Sequence, residues 1–165
     1  MRVVAGELRG RRLVAPPSRS TAVRPTSDRA RETIFTVLGR LSGLRVLDLF
    51  AGTGALAIEA VSRGADSAVL VDSKPALARR NVADLGIANR CEIVRSDAIR
   101  YLERSDERFG LILCDPPYRL ADRRAGAVQR SLQIRINASP IRRSSTRGRS
   151  SSSGRRAELS TTTRP

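Results

Sequence analysis

Between residues 44 and 114 the apolar positions fall into four short runs separated by stretches of helical spacing. The runs at 44–49, 67–71, 91–95 and 111–114 read as buried strands. The stretches at 55–63, 75–85 and 98–103 read as helices. Pro75 opens one helix and Gly86 closes it, while Gly64 closes the one before, the usual proline-first and glycine-last asymmetry. Upstream, Ile34, Val37, Leu38 and Leu41 recur at helical intervals and predict an amphipathic helix over 28–40. Earlier still, apolar runs at 3–5 and 12–15 flank Gly6–Gly10 and predict a β-hairpin, after which Pro16, Pro17 and Pro25 mark an irregular linker. Strands alternating with helices predict an α/β fold, a parallel sheet covered by helices on both faces.

Charge divides the chain. The 165 residues carry 31 basic and 16 acidic groups, a net +15, and Lys74 is the only basic residue that is not arginine. Residues 1–118 are close to balanced, with 19 basic and 14 acidic groups. Residues 119–165 hold 12 arginines against Asp122 and Glu158, and 13 of these 47 residues are Ser or Thr. So little apolar surface does not offset the entropy of ordering, so 121–165 is expected to be a disordered Arg/Ser-rich tail. The expected organisation is a hairpin and linker at 1–27, a catalytic-type α/β domain at 28–120 and that tail. An excess of this size favours a polyanionic partner, nucleic acid before a membrane surface. With no histidine, imidazole-based triads and histidine-held metals are excluded. Cys91 and Cys114 make neither a zinc set nor a disulfide framework, so no metal is expected and a reducing, cytoplasmic setting is. No apolar run approaches the roughly 20 residues of a membrane span, and the N-terminus lacks a secretion-signal core.

The placement of the carboxylates carries more information. Asp48, Asp72, Asp97 and Asp115 stand at or just beyond the ends of the four predicted strands. In an open parallel sheet, ligands bind at the carboxyl ends of strands, where strand order reverses. Each aspartate alone is as readily a turn residue or an N-cap; four at matching ends suit a ligand with hydroxyls, amines or positive charge. The first strand runs into Phe50-Ala51-Gly52-Thr53-Gly54, a glycine-rich turn opening a helix, and glycine allows tight turning and close approach. Gly52, Gly54 and Ala57 with Asp72 also fit the dinucleotide fingerprint. Against that stand the acidic Asp48 within the strand and the tetrapeptide Asp115-Pro116-Pro117-Tyr118 after the last one. Two prolines without N–H groups make a rigid loop whose carbonyls only accept. With Asp115 as acceptor and Tyr118 as a flat face, the loop suits a planar group bearing an exocyclic amine.

Leu47-Asp48-Leu49-Phe50-Ala51-Gly52-Thr53-Gly54 together with Asp115-Pro116-Pro117-Tyr118 resembles the S-adenosylmethionine-dependent amino-methyltransferases of the Rossmann-like class I fold. Arg2-Val3-Val4-Ala5-Gly6 and Arg24-Pro25-Thr26-Ser27-Asp28-Arg29 resemble the RsmD type among them, which methylates guanine N2 in 16S ribosomal RNA. The resemblance covers about 1–120. It implies that Asp48, Gly52 and Gly54 lie around the methionine part of S-adenosylmethionine, that Asp72 holds the ribose and that Asp97 takes the adenine amine. It also implies that Asp115 and the Pro116 carbonyl accept from the guanine amine, that Tyr118 stacks on the base, and that the methyl passes in line. An already activated donor leaves mainly positioning to the protein, worth roughly 7–11 kcal/mol. The base must leave its stack to reach such a pocket, and Arg2, Arg9, Arg11, Arg12 and Arg24 are the candidate contacts to RNA phosphates.

The resemblance ends near residue 120, where the family has three further strands and this chain has its arginine–serine stretch. The last predicted strand would then be an apolar edge. So abrupt a change is expected from a reading frame shifted just after Tyr118, which the gene sequence there tests. Three functions fit the residues: methylation of guanine N2 in small-subunit ribosomal RNA, methylation of adenine N6 or cytosine N4 in DNA or RNA, and noncatalytic RNA binding on a truncated methyltransferase fold.

Overall fold

The computed structural model describes residues 1–16 and 28–116. Within them are helix α1 (Asp28–Leu38), strand β1 (Arg45–Leu49), α2 (Ala55–Ser62), β2 (Ser67–Asp72), α3 (Ala76–Asp84), β3 (Cys91–Arg95), α4 (Ala98–Arg104) and β4 (Leu111–Cys114). The four strands form one parallel sheet in the order β3-β2-β1-β4. The chain therefore steps outward from β1 to β3 and then crosses back to place β4 on the other side of β1. Predicted and observed strands agree within one residue; the central β1 and β2, buried along almost their whole length, read as nearly unbroken apolar runs. The linker at 17–27, the tail at 121–165, Pro117 and Tyr118 lie outside the described residues.

Alternation along the strands sends side chains to two cores. Val46, Ala68, Leu70 and Leu113 pack with α2, α3, Phe35 of α1 and the N-terminal residues Val3 and Leu13. Leu47, Leu49, Val69 and Val71 pack on the opposite face with Ala98 and Leu102 of α4. Leu47, Val46, Leu49 and Leu70 are wholly buried, and each such side chain contributes about 1.5–3 kcal/mol to folding.

Helix α1 turns a different face inward from the one its spacing predicts. Arg31 and Phe35 are buried, whereas Val37 is 82% exposed and Ile34 and Leu38 are each 38% exposed. The reason lies in the guanidinium. Arg31 donates to the Arg2 carbonyl at 2.5 Å and pairs with Asp28 at 2.6 Å, while Phe35 lies under Arg63 with the cation 5.3 Å from the ring centre. A buried arginine that satisfies a backbone carbonyl outweighs the apolar stripe in setting the helix's rotation.

The N-terminal segment folds back as a hairpin, but not as a regular two-stranded ladder. Its bridge is Arg2 with Arg12, supported by Val3 N–H to Arg11 O, Gly10 N–H to Val3 O and Leu13 N–H to Met1 O. The next two amides turn to helix α2 instead. Val4 and Ala5 N–H donate to the two carboxylate oxygens of Glu59, at 2.8 and 3.0 Å. Ser62 adds three bonds: its carbonyl accepts from Glu7 N–H, its hydroxyl accepts from Leu8 N–H, and that hydroxyl donates to Ala5 O. The fit excludes a side chain at Gly6, where a Cβ would stand 1.8 Å from the Ser62 carbonyl oxygen at a φ of +84°. Glu59 is itself buried and held by Arg63 Nε at 2.8 Å.

Removing one partner from a buried set leaves the others unsatisfied, at about 1–3 kcal/mol for each stranded group. Glu59→Ala is therefore expected to cost about 2–4 kcal/mol in urea unfolding, with protease cleavage within residues 1–16 rising before global unfolding. Unchanged stability and unchanged cleavage would show that the hairpin is held by its apolar contacts alone.

Candidate functional site at the carboxyl ends of the strands

Three of the four predicted carboxylates gather where the strand order reverses. Register pairs Leu49 with Val71 on one side and Cys114 on the other. Asp72 and Asp115 each follow by one residue, so they flank the exit of β1 at the same level. Asp97 lies farther along, two residues after Arg95, which is the register partner of Asp72. Asp48 sits within β1 on the face that carries α2.

Asp48 has the most constrained environment. It is 1% exposed; Oδ2 accepts the Ala57 N–H at 3.1 Å, fastening β1 to the first turn of α2. Oδ1 is buried and has no hydrogen-bond partner among the described residues. Burial pushes its pKa up from the ordinary 3.8 to about 7; the Ala57 N–H opposes the rise, and the charges of Asp115 and Asp72 add to it. The same negative field reaches Cys114, whose thiol is pushed up to about 11 by burial first and then by Asp48 and Asp115. An orphaned acceptor in a field of three carboxylates calls for a donor with positive charge.

Asp72 and Asp97 each bind backbone N–H groups. Asp72 accepts Gly52 N–H through Oδ2 at 2.8 Å and Lys74 N–H through Oδ1 at 2.7 Å, so it holds the glycine-rich turn against the end of β2. Asp97 is the N-cap of α4, with Oδ1 accepting from Ile99 and Arg100 N–H. Capping and ligand binding are compatible, since an ionised carboxylate offers about four acceptor positions. Asp115 is exposed and leads into Pro116.

The turn between β1 and α2 changes hand three times. Phe50, Gly52 and Gly54 have φ of 62°, 54° and 77°. At Phe50, a non-glycine residue, this conformation costs roughly 1–2 kcal/mol, offset by Phe50 packing against the α4 core and by the Ala51 N–H bond to Val71 O at 3.1 Å. The two glycines serve different ends. Among the described residues a Cβ at Gly52 would meet only the Phe50 carbonyl oxygen, at 3.8 Å, so none of them crowds the turn there. At Gly54 a Cβ would come within 2.8 Å of Leu70 Cδ2; this glycine seats the helix on the core.

Arg2, Arg9, Arg11 and Arg12 are all exposed on the N-terminal hairpin; Arg24 lies outside the described residues. Two functional-looking residues escaped the sequence reading. Glu59 holds the hairpin, and Asn81 on α3 is 1% exposed with its carboxamide bonded to Val14 N–H (2.7 Å), Val14 O (3.1 Å) and Thr53 O (2.9 Å). The signal was a polar residue inside an otherwise inward-facing helical stripe. Among the described residues there is no group of three or more His, Cys, Asp or Glu able to hold a metal, and no helix long and apolar enough to cross a membrane.

A carboxyl with a folded-state pKa raised above its unfolded value favours folding most below the unfolded pKa, and that advantage is lost as pH rises through the folded one. For Asp48 the window runs from about pH 4 to about 7. Asp48→Asn is therefore expected to flatten the fall in stability across that window and to be more stable than wild type at pH 8, in urea titrations at fixed salt. A variant that falls in parallel with wild type would contradict the buried-carboxylate assignment.

Comparison with known proteins agrees with this geometry. The profile described as conserved hypothetical protein 95 matches residues 1–135. The chain is 36% identical over 122 residues to ribosomal RNA small subunit methyltransferase D of Escherichia coli strain K12, covering 72% of this chain and 61% of that protein. It is 40% identical over 126 residues to a Bacillus subtilis protein named as a candidate rRNA methyltransferase, covering 72% and 67%. It thus spans about three fifths of the length of the Escherichia coli relative. A solved Escherichia coli structure titled as a candidate methyltransferase superposes with a TM-score of 0.70 at 32% identity, over 82% of this chain and 73% of that one. A Rossmann-like parallel sheet, the glycine turn and these matches lead to one assignment: the chain belongs to the conserved hypothetical protein 95 family, the RsmD-type methyltransferase family.

Proposed function

We propose that the chain carries the cofactor half of an S-adenosylmethionine-dependent methyltransferase that acts on the N2 amine of a guanine in small-subunit ribosomal RNA. The observation that carries this reading is the buried, unpartnered Oδ1 of Asp48 beside the open turn at Gly52, within the field of Asp72 and Asp115. That set of acceptors fits S-adenosylmethionine, which presents donors and positive charge to it: an ammonium, two ribose hydroxyls, an exocyclic amine and a sulfonium. When bound, it supplies a methyl group already activated on a positive sulfur.

The residues then divide the work. Asp48 receives the ammonium at Oδ1, with Gly52 leaving space for the methionine part. Asp72 keeps lone pairs for the ribose hydroxyls while its backbone bonds hold it rigid. Asp97, fixed by its capping bonds, offers an acceptor to the adenine amine. Asp115 and the Pro116 carbonyl accept the two hydrogens of the guanine amine. This turns the nitrogen lone pair out of conjugation, and Tyr118 supplies a stacking face. No strong base is needed: the methyl would pass from the sulfonium to nitrogen, leaving a neutral thioether, and the amine proton would go afterwards to the Asp115 carboxylate or to solvent. The exposed Arg2, Arg9, Arg11 and Arg12, with Arg24, engage phosphates, which makes RNA affinity fall with salt. The family assignment and the names of its relatives support ribosomal RNA over other nucleic acids.

The test is transfer of labelled methyl to small-subunit RNA, with the modified nucleoside identified by mass spectrometry. N2-methylguanosine is expected, and Asp115→Ala is expected to lower the rate at saturating cofactor by about 100-fold or more, as loss of a group acting mainly at the reacting centre does. Cofactor affinity should change little. Methyl on adenine N6 or cytosine N4 would transfer the assignment to a sister activity. RNA binding without turnover, in a chain that binds cofactor, would make it a noncatalytic RNA-binding protein.

A further inference from the structure

Asn81 lies outside the set of carboxylates, yet it touches both the glycine-rich turn and the N-terminal segment. Its Oδ1 accepts the Val14 N–H, and its Nδ2 donates to both Val14 O and Thr53 O. Both amide hydrogens are used, and the orientation of the carboxamide is fixed by its neighbours: one donor faces Oδ1 and two carbonyls face Nδ2. Val14 is thereby bound at both its backbone groups, as a strand residue is by a neighbouring strand. It stands two residues after Arg12, on the segment that carries the exposed arginines.

The Thr53 carbonyl belongs to the peptide plane between Thr53 and Gly54. The other end of that plane, the Gly54 N–H, donates to Ala51 O at 2.7 Å. The plane is therefore held from both ends, by Asn81 on one side and by Ala51 on the other. It is also the plane most able to turn over, because glycine accepts either sign of φ at little cost. Turning it would strand the Nδ2 hydrogen of a residue that is 1% exposed. The Asn81 bond thus favours the observed orientation of the plane over the turned one, the kind of bias that coupling between sites requires.

We propose that Asn81 is a positioning residue that couples the glycine-rich turn to the N-terminal segment through Val14 and Thr53, so that cofactor binding and RNA binding strengthen each other. The proposal rests on the reading of the turn as the cofactor site. RNA phosphates gripping Arg11 and Arg12 restrain Val14, Val14 restrains the carboxamide, and the carboxamide keeps the Thr53–Gly54 plane in the orientation that leaves the turn open at Gly52. By linkage, a cofactor that stabilises the same orientation restrains Val14 to the same degree.

The test is calorimetric titration of S-adenosylhomocysteine, with and without a small-subunit RNA fragment, and of the fragment with and without S-adenosylhomocysteine. Wild type is expected to show equal mutual tightening, of about 5-fold or more. Asn81→Asp keeps the shape and the acceptor but replaces both donors, and should reduce the tightening to less than about 2-fold, with each ligand still bound on its own. A merely structural residue would weaken both affinities and leave their ratio unchanged. Because the variant can fail to fold, amide exchange on wild type gives a second readout. S-adenosylhomocysteine alone should slow exchange at the Val14 amide, and RNA alone should slow it within 51–54. A wild-type chain that binds both ligands without mutual effect, exchange unaltered across the Asn81 link, or tightening that survives in Asn81→Asp would each overturn the coupling alone. A folded wild-type chain that takes up no S-adenosylhomocysteine would overturn the cofactor reading, and the coupling with it.

Discussion

The reversal of strand order at β1 is the constraint on which the rest depends. The chain builds β2 and β3 on one side of β1 and β4 on the other, and it is outside the carboxyl ends of strands at such a reversal that open α/β sheets bind ligands. Everything placed at that level inherits a function from it. Asp72 and Asp115 stand on either side of the β1 exit, and Asp48 lies just beneath. The fold thus concentrates negative charge at one end of the sheet while the arginines of the hairpin lie exposed at the N-terminus. That separation suits the proposed pair of ligands, a cationic, amine-bearing cofactor at one place and a polyanionic RNA at another.

Helix α2 and Asn81 connect those two parts. The helix begins at the glycine turn, where Asp48 holds Ala57, and ends at Glu59 and Ser62, which hold the hairpin. Eight residues therefore connect the glycine turn to the hairpin, with buried carboxylates fastening the first turn of the helix to β1 and its later part to the hairpin. Asn81 makes a second link from the neighbouring helix. With the hairpin pinned at several points through backbone donors, its contribution lies in orientation more than in added apolar burial.

Much of this was legible in the sequence. Three of the strands read clearly as runs that are mostly apolar and β3 more by its place in the alternation, and the aspartates stood out because each lies within or just beyond the end of a strand. Less legible was what those aspartates also do. Asp48, Asp72 and Asp97 all accept backbone N–H groups, so the ordinary capping role and the proposed ligand role coexist in the same side chains, and spacing cannot separate them. Helix α1 lies where its spacing predicts, but the face it buries differs: spacing ranks apolar residues, and Arg31 is turned inward, donating to the Arg2 carbonyl. Glu59 and Asn81 were missed because the N-terminal partners they hold, at Val4, Ala5 and Val14, are backbone groups more than fifty residues away in sequence, which carry no residue-type signature.

The central claim is that the first four strands form a cofactor site. Calorimetric titration of S-adenosylmethionine into the purified full chain, beside Asp72→Ala, tests it most directly. The account predicts one site per chain and an affinity at least about tenfold weaker in the variant, as expected when a charged hydrogen-bonding group is removed. A soluble chain that unfolds cooperatively yet gives no binding heat at several temperatures would contradict it.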